Sequence, residues 1–267
     1  MLLTSENYYS REANEEYLSV SQYKDFMGTY GMPGCEEYAL AKIDGTWEEN
    51  MEDSDALMVG SYVDAHFEGT LDLFKAKHPC MFKKNGELMA KYIKANYMIQ
   101  RCERDELFMQ FMSGEKQVIM TAEMFGTNWK IKIDSYHPGR CIVDLKTCQS
   151  ITKSFSHADI GHLNFLAEWG YYIQGAVYQK VVEINTGKKL PFFIAAVSKE
   201  KEPDIQVIAV EQQLLDEALT EIEHNVPNIL ALKNGSLKPI RCGHCDYCKY
   251  TKVLDKPIWS SELLGEV

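Results

Sequence analysis

Apolar positions change their spacing along the chain, and the change marks out the elements. Up to about residue 115 the recurrences are helical. Ser19 precedes Val20, Tyr23 and Phe26 with the capping chemistry of a helix start. Gly60 to Phe74 carries Val63, Phe67 and Leu71 at four-residue spacing, and residues 87–112 continue with recurring Met, Tyr and Ile. From residue 117 the period shortens. Val118 to Thr121, Trp129 to Tyr136 and Cys141 to Thr147 read as short strands, separated at 126–128 and 137–140 by turn chemistry. An amphipathic stretch from Phe165 to Ile184 predicts one long helix that closes near Gly187. Leu190 to Val197 and Ile205 to Val210 then read as two more strands.

This order of helices, three antiparallel strands, helix and strands predicts an α/β fold. A mixed central sheet is flanked by helices, with a helical region at the N-terminal side. Neither an internal repeat nor a low-complexity linker divides the 267 residues, so a single domain is the economical reading. Within it, 1–115 is mainly helical, 116–212 forms the core, and 213–267 holds a helix and a cysteine-bearing tail.

Composition narrows the class. Hydrophobic residues at 45% and charged residues at 25% are ordinary globular values, which excludes disordered and fibrous classes. No apolar run reaches the roughly 20 residues of a membrane helix, and the first residues lack the basic and apolar regions of an export signal. The expectation is a cytoplasmic protein.

The net charge of −11 argues against nucleic acid until its distribution is read. Residues 1–125 carry 12 basic and 22 acidic side chains, residues 126–199 carry 9 and 5, and residues 200–267 carry 7 and 12. The middle segment alone is positive, and a phosphate backbone responds to local potential.

That segment also holds the chemistry. If the turn after Tyr136 centres on Gly139, Asp134 lies directly across from Asp144, with Cβ atoms about 4.5–5.5 Å apart. Lys146, two residues beyond Asp144, returns to the same face. Ile133, Val143 and Leu145 point the other way, into a core. Opposed carboxylates destabilise a sheet unless solvated or holding a cation. Paired aspartates are hard oxygen ligands suited to Mg²⁺ or Mn²⁺. A divalent ion there polarises a phosphoryl oxygen and lowers the pKa of water, and Lys146 is placed to orient or deprotonate that water or to neutralise developing charge. Taken alone, Asp-x-Lys on a strand is a common accident, and most such triplets face solvent. Gln174 and Tyr178 add a polar face on the following helix at i, i+4 spacing. His66 lies on a helix that also carries core residues, where a histidine is more often structural than a ligand.

Together, His66, Asp134, the Val143–Thr147 strand with Asp144 and Lys146, and Gln174 with Tyr178 resemble the PD-(D/E)xK nuclease superfamily. The resemblance spans roughly residues 19–250 and falls in the branch shared by the RecB nuclease domain and phage RecE-type exonucleases, with Ile133 where the eponymous proline would stand. It implies a restriction-endonuclease-like core in which Asp134 and Asp144 bind Mg²⁺ or Mn²⁺ and Lys146 acts on the attacking water. His66 would be an added metal ligand or metal-shell residue, and Gln174 and Tyr178 would line the site and contact a DNA strand. It further implies a DNA exonuclease of phage or prophage recombination, acting 5′ to 3′ on linear double-stranded DNA, as a ring-shaped homo-oligomer with a single-strand annealing protein as partner. The rivals are an endonuclease or repair nuclease on the same core, and a non-catalytic DNA- or metal-binding module. Glu123, on the preceding strand, is read as a surface residue.

Of eight cysteines, three are packed into Cys242, Cys245 and Cys248. This is metal-type spacing, but a closed tetrahedral site needs a fourth ligand, either His244 or Cys35. Some nucleases of the superfamily, AddB and certain CRISPR-associated enzymes, are similar in having one early cysteine and a more widely spaced trio after the core, a topology matched here by Cys35 with Cys242, Cys245 and Cys248 as a candidate second site. The alternatives here are Zn²⁺, an iron–sulfur cluster, or free thiols.

Overall fold

The computed structural model describes residues 1–49, 52 and 54–261. The N-terminal elements are α1 (Arg11–Glu16), α2 (Val20–Met27), the clip β1 (Gly28–Thr29) and β2 (Met32–Pro33), α3 (Glu36–Ile43) and α4 (Asp55–Glu68). They continue with α5 (Leu71–Lys77), α6 (Lys94–Glu103) and α7 (Glu106–Phe111). Strands β3 (Val118–Met124), β4 (Thr127–Ile133), β5 (Ser135–His137) and β6 (Cys141–Cys148) follow. A small ribbon, β7 (Phe155–His157) and β8 (Gly161–Leu163), leads to α8 (Phe165–Glu168) and α9 (Tyr171–Thr186). The chain ends through β9 (Phe192–Ser198), β10 (Ile205–Ala209), α10 (Gln212–Lys233) and α11 (Asp246–Tyr250).

Capping explains where several helices begin. The Ser19 side chain accepts from the Gln22 N–H and starts α2 at the expected residue. Three expected helices are broken instead. The 60–74 helix stops at Gly69, and the 87–112 stretch becomes helical only at Lys94 and restarts at Asp105, which caps α7 through the Phe108 N–H. The predicted Phe165–Ile184 helix splits at Trp169 and Gly170, where the glycine takes a left-handed conformation (φ +61°) that apolar periodicity does not register.

The central sheet has the order β10-β9-β6-β5, with β6 and β9 parallel and the outer pairs antiparallel. It is the mixed sheet expected from the element order. Two cores cover its faces. Ile142, Phe192, Ile194 and Ala196 pack with Val177 and Val181 of α9 and Ile222 and Ile229 of α10. Val143, Leu145, Ala195 and Val197 pack with Met58 and Val63 of α4, Met98 of α6 and Phe108 of α7. Ile133 belongs to the first core and Val143 and Leu145 to the second, so the three do not share the single core expected of them.

The expected strand from Trp129 to Tyr136 is interrupted at Asp134, which lies between β4 and β5. The ladder pairs Ser135 with Val143, Tyr136 with Ile142 and His137 with Cys141. This is the register set by a turn centred on Gly139, but the ladder stops at Ser135 and Val143, so Asp134 lies outside it and is not paired across the sheet with Asp144 as expected.

Candidate active site

Strand alternation decides which way β6 aims its polar groups. Val143 and Leu145 fill the core under α4, so Asp144 and Lys146 face the α9 side. Asp144 is almost fully buried, 2% exposed, a position a carboxylate tolerates only with partners. The Gln174 amide of α9 donates to its Oδ1 at 2.5 Å. The Lys146 ammonium lies 2.5 Å from its Oδ2, but that oxygen receives no aligned hydrogen bond. Asp134 uses the break between β4 and β5 to turn inward, accepting from the Leu145 N–H at 2.8 Å and from Gln117 Nε2 at 3.3 Å.

These groups form the floor of a cavity of about 380 Å³. Tyr178 lines it as well, donating its hydroxyl to the Lys132 carbonyl at 3.0 Å. Lys132 itself lines the cavity, its ammonium 4.8 Å from the centre of the Tyr9 ring. Lys130 is buried and spent on the fold, donating to the Tyr8 carbonyl at 2.6 Å and to Asn14 Oδ1 at 2.7 Å. On another wall Lys42 pairs with Asp25 at 3.1 Å.

The electrostatics are those of crowded carboxylates. Burial and the neighbouring Asp144 push the Asp134 carboxyl up to about 7. Burial, with Asp134 close by, also raises Asp64 well above the carboxylate range. Burial works against the Lys146 ammonium, but the fields of Asp144, Tyr171 and Asp134 outweigh it, so Lys146 is held in its charged form. The Tyr171 ring has two ammonium groups over it, Lys146 at 5.1 Å and Lys24 at 5.0 Å from its centre.

Five sequence-derived residues, Asp134, Asp144, Lys146, Gln174 and Tyr178, therefore meet in one cavity. His66 is not brought to it. Its Nε2 lies 2.8 Å from Glu103 Oε1 in a partly exposed pair across α4 and α6. The cavity is reached instead by Asp64 and Glu68, which the sequence reading passed over. The physical reason is helical geometry: two residues along an α-helix point to nearly opposite sides, whereas i and i+4 share a face. Gly60 belongs to the same row, and a Cβ there would stand 2.8 Å from Thr147 Oγ1, so the glycine lets α4 approach β6. Gly60, Asp64 and Glu68 at four-residue spacing were the signal that could have found this face. Glu123 is exposed on β3, as read from the sequence.

A divalent cation suits this donor set. Asp144 Oδ2 is a buried acceptor without an aligned donor, and the neighbouring carboxylates are hard oxygen ligands in need of positive charge. Asp64, Asp134 and Asp144 are the residues that would hold it.

Away from the cavity, Cys35, Cys242, Cys245 and Cys248 come together, with their sulfurs within 4.8 Å of one another. His244 is not part of that group, although its backbone N–H points to Cys242 Sγ.

Comparison with known proteins agrees with the geometry. Residues 19–251 match the family described as "PDDEXK-like domain of unknown function (DUF3799)". The chain belongs to this PDDEXK-like family. A crystal structure from Eubacterium rectale, of a protein called a "Putative exonuclease", is 56% identical in sequence, with a TM-score of 0.96 over 100% of both chains. Among curated proteins there is no match. The mixed sheet with its flanking helices is the restriction-endonuclease-like core of PDDEXK proteins, as the resemblance implied. Among the described residues no helix is long and apolar enough to cross a membrane.

Proposed function

We propose that the chain is a divalent-metal-dependent DNA exonuclease that digests linear duplex from the 5′ end in phage or prophage recombination. The observation carrying this reading is the buried Asp144, held between Gln174 and Lys146, with Asp134 on the same cavity floor. Membership of a PDDEXK-like family and the likeness to the Eubacterium rectale protein support nuclease chemistry. The RecE-type resemblance supports the polarity and the recombination setting.

Asp134 and Asp144, with Asp64 in place of His66, would hold Mg²⁺ or Mn²⁺. The bound ion supplies Lewis acidity toward a phosphoryl oxygen and eases ionisation of water. The chain's own groups do the rest. The Leu145 N–H and Gln117 fix the Asp134 carboxylate, and Gln174 fixes that of Asp144. Lys146, held as an ammonium, donates to the attacking water and neutralises charge that develops on the phosphate. Gln174 and Tyr178 act here through Asp144 and the Lys132 carbonyl. Lys132 and the exposed Tyr9 offer a cation and a ring to an incoming strand.

On this reading residues 116–212 are the catalytic core of one cytoplasmic domain, with 1–115 as its mainly helical N-terminal part and 213–267 as its C-terminal helix and cysteine-bearing tail. A ring-shaped homo-oligomer would let an acidic chain hold DNA by encirclement and pass the 3′ strand to a single-strand annealing protein.

The test is digestion of linear duplex labelled at one 5′ end, with Mg²⁺ or EDTA, beside covalently closed circular DNA. Mg²⁺-dependent release of 5′ label from the linear substrate alone is expected. Cutting of the circle would make the protein an endonuclease, and retention of DNA without hydrolysis would leave a binding module.

A further inference from the structure

The four cysteines lie outside the cavity, and nothing in the nuclease reading uses them. Cys35 N-caps α3 and is buried, and the other three come from a tail more than 200 residues later in the chain. The Cys35 and Cys248 sulfurs are 3.6 Å apart, and those of Cys242 and Cys248 are 3.9 Å apart. Both separations are far beyond the roughly 2.05 Å of a disulfide, and all the cysteines are free.

Ligand geometry distinguishes the remaining occupants. A tetrahedral ion with Zn–S bonds of about 2.3 Å sets its sulfurs about 3.8 Å apart. The two close separations bracket that value, and the 4.8 Å limit holds for the whole group. An iron–sulfur cluster distributes its thiolates over different irons and spreads them wider than one shared ion does.

Backbone donors support the same assignment. The N–H groups of His244 and Cys245 point to Cys242 Sγ at 3.4 and 3.3 Å, that of Cys248 to Cys245 Sγ at 3.4 Å, and that of Cys242 to Cys35 Sγ at 3.5 Å. Such N–H groups are placed to offset the negative charge that four thiolates would bring together.

The tail also needs an anchor. α11 has five residues, too short to be stable alone, and Cys248 is its buried residue. Ties of the tail to the N-terminal side that are exposed or partly exposed include Arg241 to Glu37 at 2.7 Å, the Ile240 N–H to Glu36 at 2.7 Å, and Tyr247 and Tyr250 against Trp47.

We propose that Cys35, Cys242, Cys245 and Cys248 form a structural site for a single Zn²⁺ ion, rather than an iron–sulfur cluster or a group of free thiols. The site ties the C-terminal tail to the start of α3. Through that tie it supports one wall of the cavity, because the Cys35 N–H also donates to the Asp25 carbonyl at 2.9 Å and Asp25 pairs with Lys42 on α3. The ion has no part in the chemistry.

The experiment is elemental analysis of the full-length protein, purified without chelator, together with its visible spectrum and a thiol titration. The expected result is about one zinc per chain, no iron or sulfide, and four thiols that react only after a strong chelator releases the zinc. Cys248→Ser should lose the zinc, whereas Asp144→Asn should keep it. If Cys248→Ser fails to fold, a cobalt(II) titration of the reduced, zinc-stripped wild type serves instead: saturation at one ion with a tetrahedral tetrathiolate spectrum is expected. Iron and sulfide with a brown chromophore would overturn the proposal, as would a metal-free protein with all these thiols open to reagent and no cobalt(II) bound.

Discussion

At the scale of single residues, the site is a matter of where carboxylates are forced together and what offsets them. Asp64 lines the cavity and His66 is paired with Glu103 outside it, so their substitutions should separate. Asp64→Asn is expected to lower Mg²⁺-dependent hydrolysis by at least about 10- to 100-fold, the range for losing a group that merely orients a metal's ligands. His66→Gln should leave the rate within about twofold and cost less than about 1 kcal/mol of stability, since it breaks only a partly exposed pair. Steady-state rates on linear duplex and urea midpoints check both, and the reverse ranking would return the ligand role to His66. Asp134 sets a pH dependence. Its carboxyl is pushed up to about 7 from an ordinary value near 3.8, so between those values the metal-free folded protein keeps a proton that the unfolded chain has released. The contribution of this group to stability therefore falls as pH rises through that window. A divalent ion favours the deprotonated form, so Mg²⁺ should raise the Tm more at pH 8 than at pH 5, and Asp134→Asn should shrink the difference. Equal Mg²⁺ shifts at the two pH values in the wild type would contradict this. Asp134, Asp144 and Lys146 were legible in the sequence because strand alternation and a turn at Gly139 fix their register. Asp64 was not, because the row of α4 that faces the cavity, Gly60, Asp64 and Glu68, carries no motif of its own, and His66 lies off that row.

At the scale of elements, the decisive contact is α4 on β6. Gly60 allows it, with Thr147 Oγ1 2.8 Å from where a Cβ would stand. Gly60→Val should push α4 outward, costing about 1–3 kcal/mol by overpacking. The same shift should withdraw Asp64 and abolish most activity at temperatures where the variant is folded. Denaturant unfolding and the nuclease rate measure the two effects, and a variant with wild-type values for both would show that the contact does not position the site. The strands were readable because their apolar alternation and turn residues agree. The helices were read as longer than they are: Gly170 and the Asp105 cap interrupt patterns whose apolar spacing runs on across the break. The split of the predicted strand at Asp134 is the informative miss. A continuous ladder would have kept that residue in the sheet, whereas the break turns its carboxylate onto the Leu145 N–H.

At the scale of the whole molecule, an acidic chain concentrates its positive charge where the chemistry is. The segment 126–199, the only one with a basic excess, supplies Lys130, Lys132 and Lys146, all of which line the cavity. The elements before it bring Asp64 and the ring of Tyr9 to the same cavity, and the cysteine group ties the far end of the chain to the wall formed by α2 and α3. That long-range closure was only half visible in the sequence. The spacing of the trio pointed to a metal and its topology to Cys35 as the fourth ligand, with His244 the alternative, but that the four sulfurs meet took the fold to see. The most direct test of the central claim is the digestion assay run with the wild type beside Lys146→Ala and Asp144→Asn, with DNA retention and circular dichroism measured on the same preparations. Mg²⁺-dependent loss of 5′ label by the wild type is expected, with a rate at least about 10²-fold lower in each variant and folded, DNA-binding proteins throughout. Near-wild-type hydrolysis by either variant would contradict that claim and place the active site elsewhere.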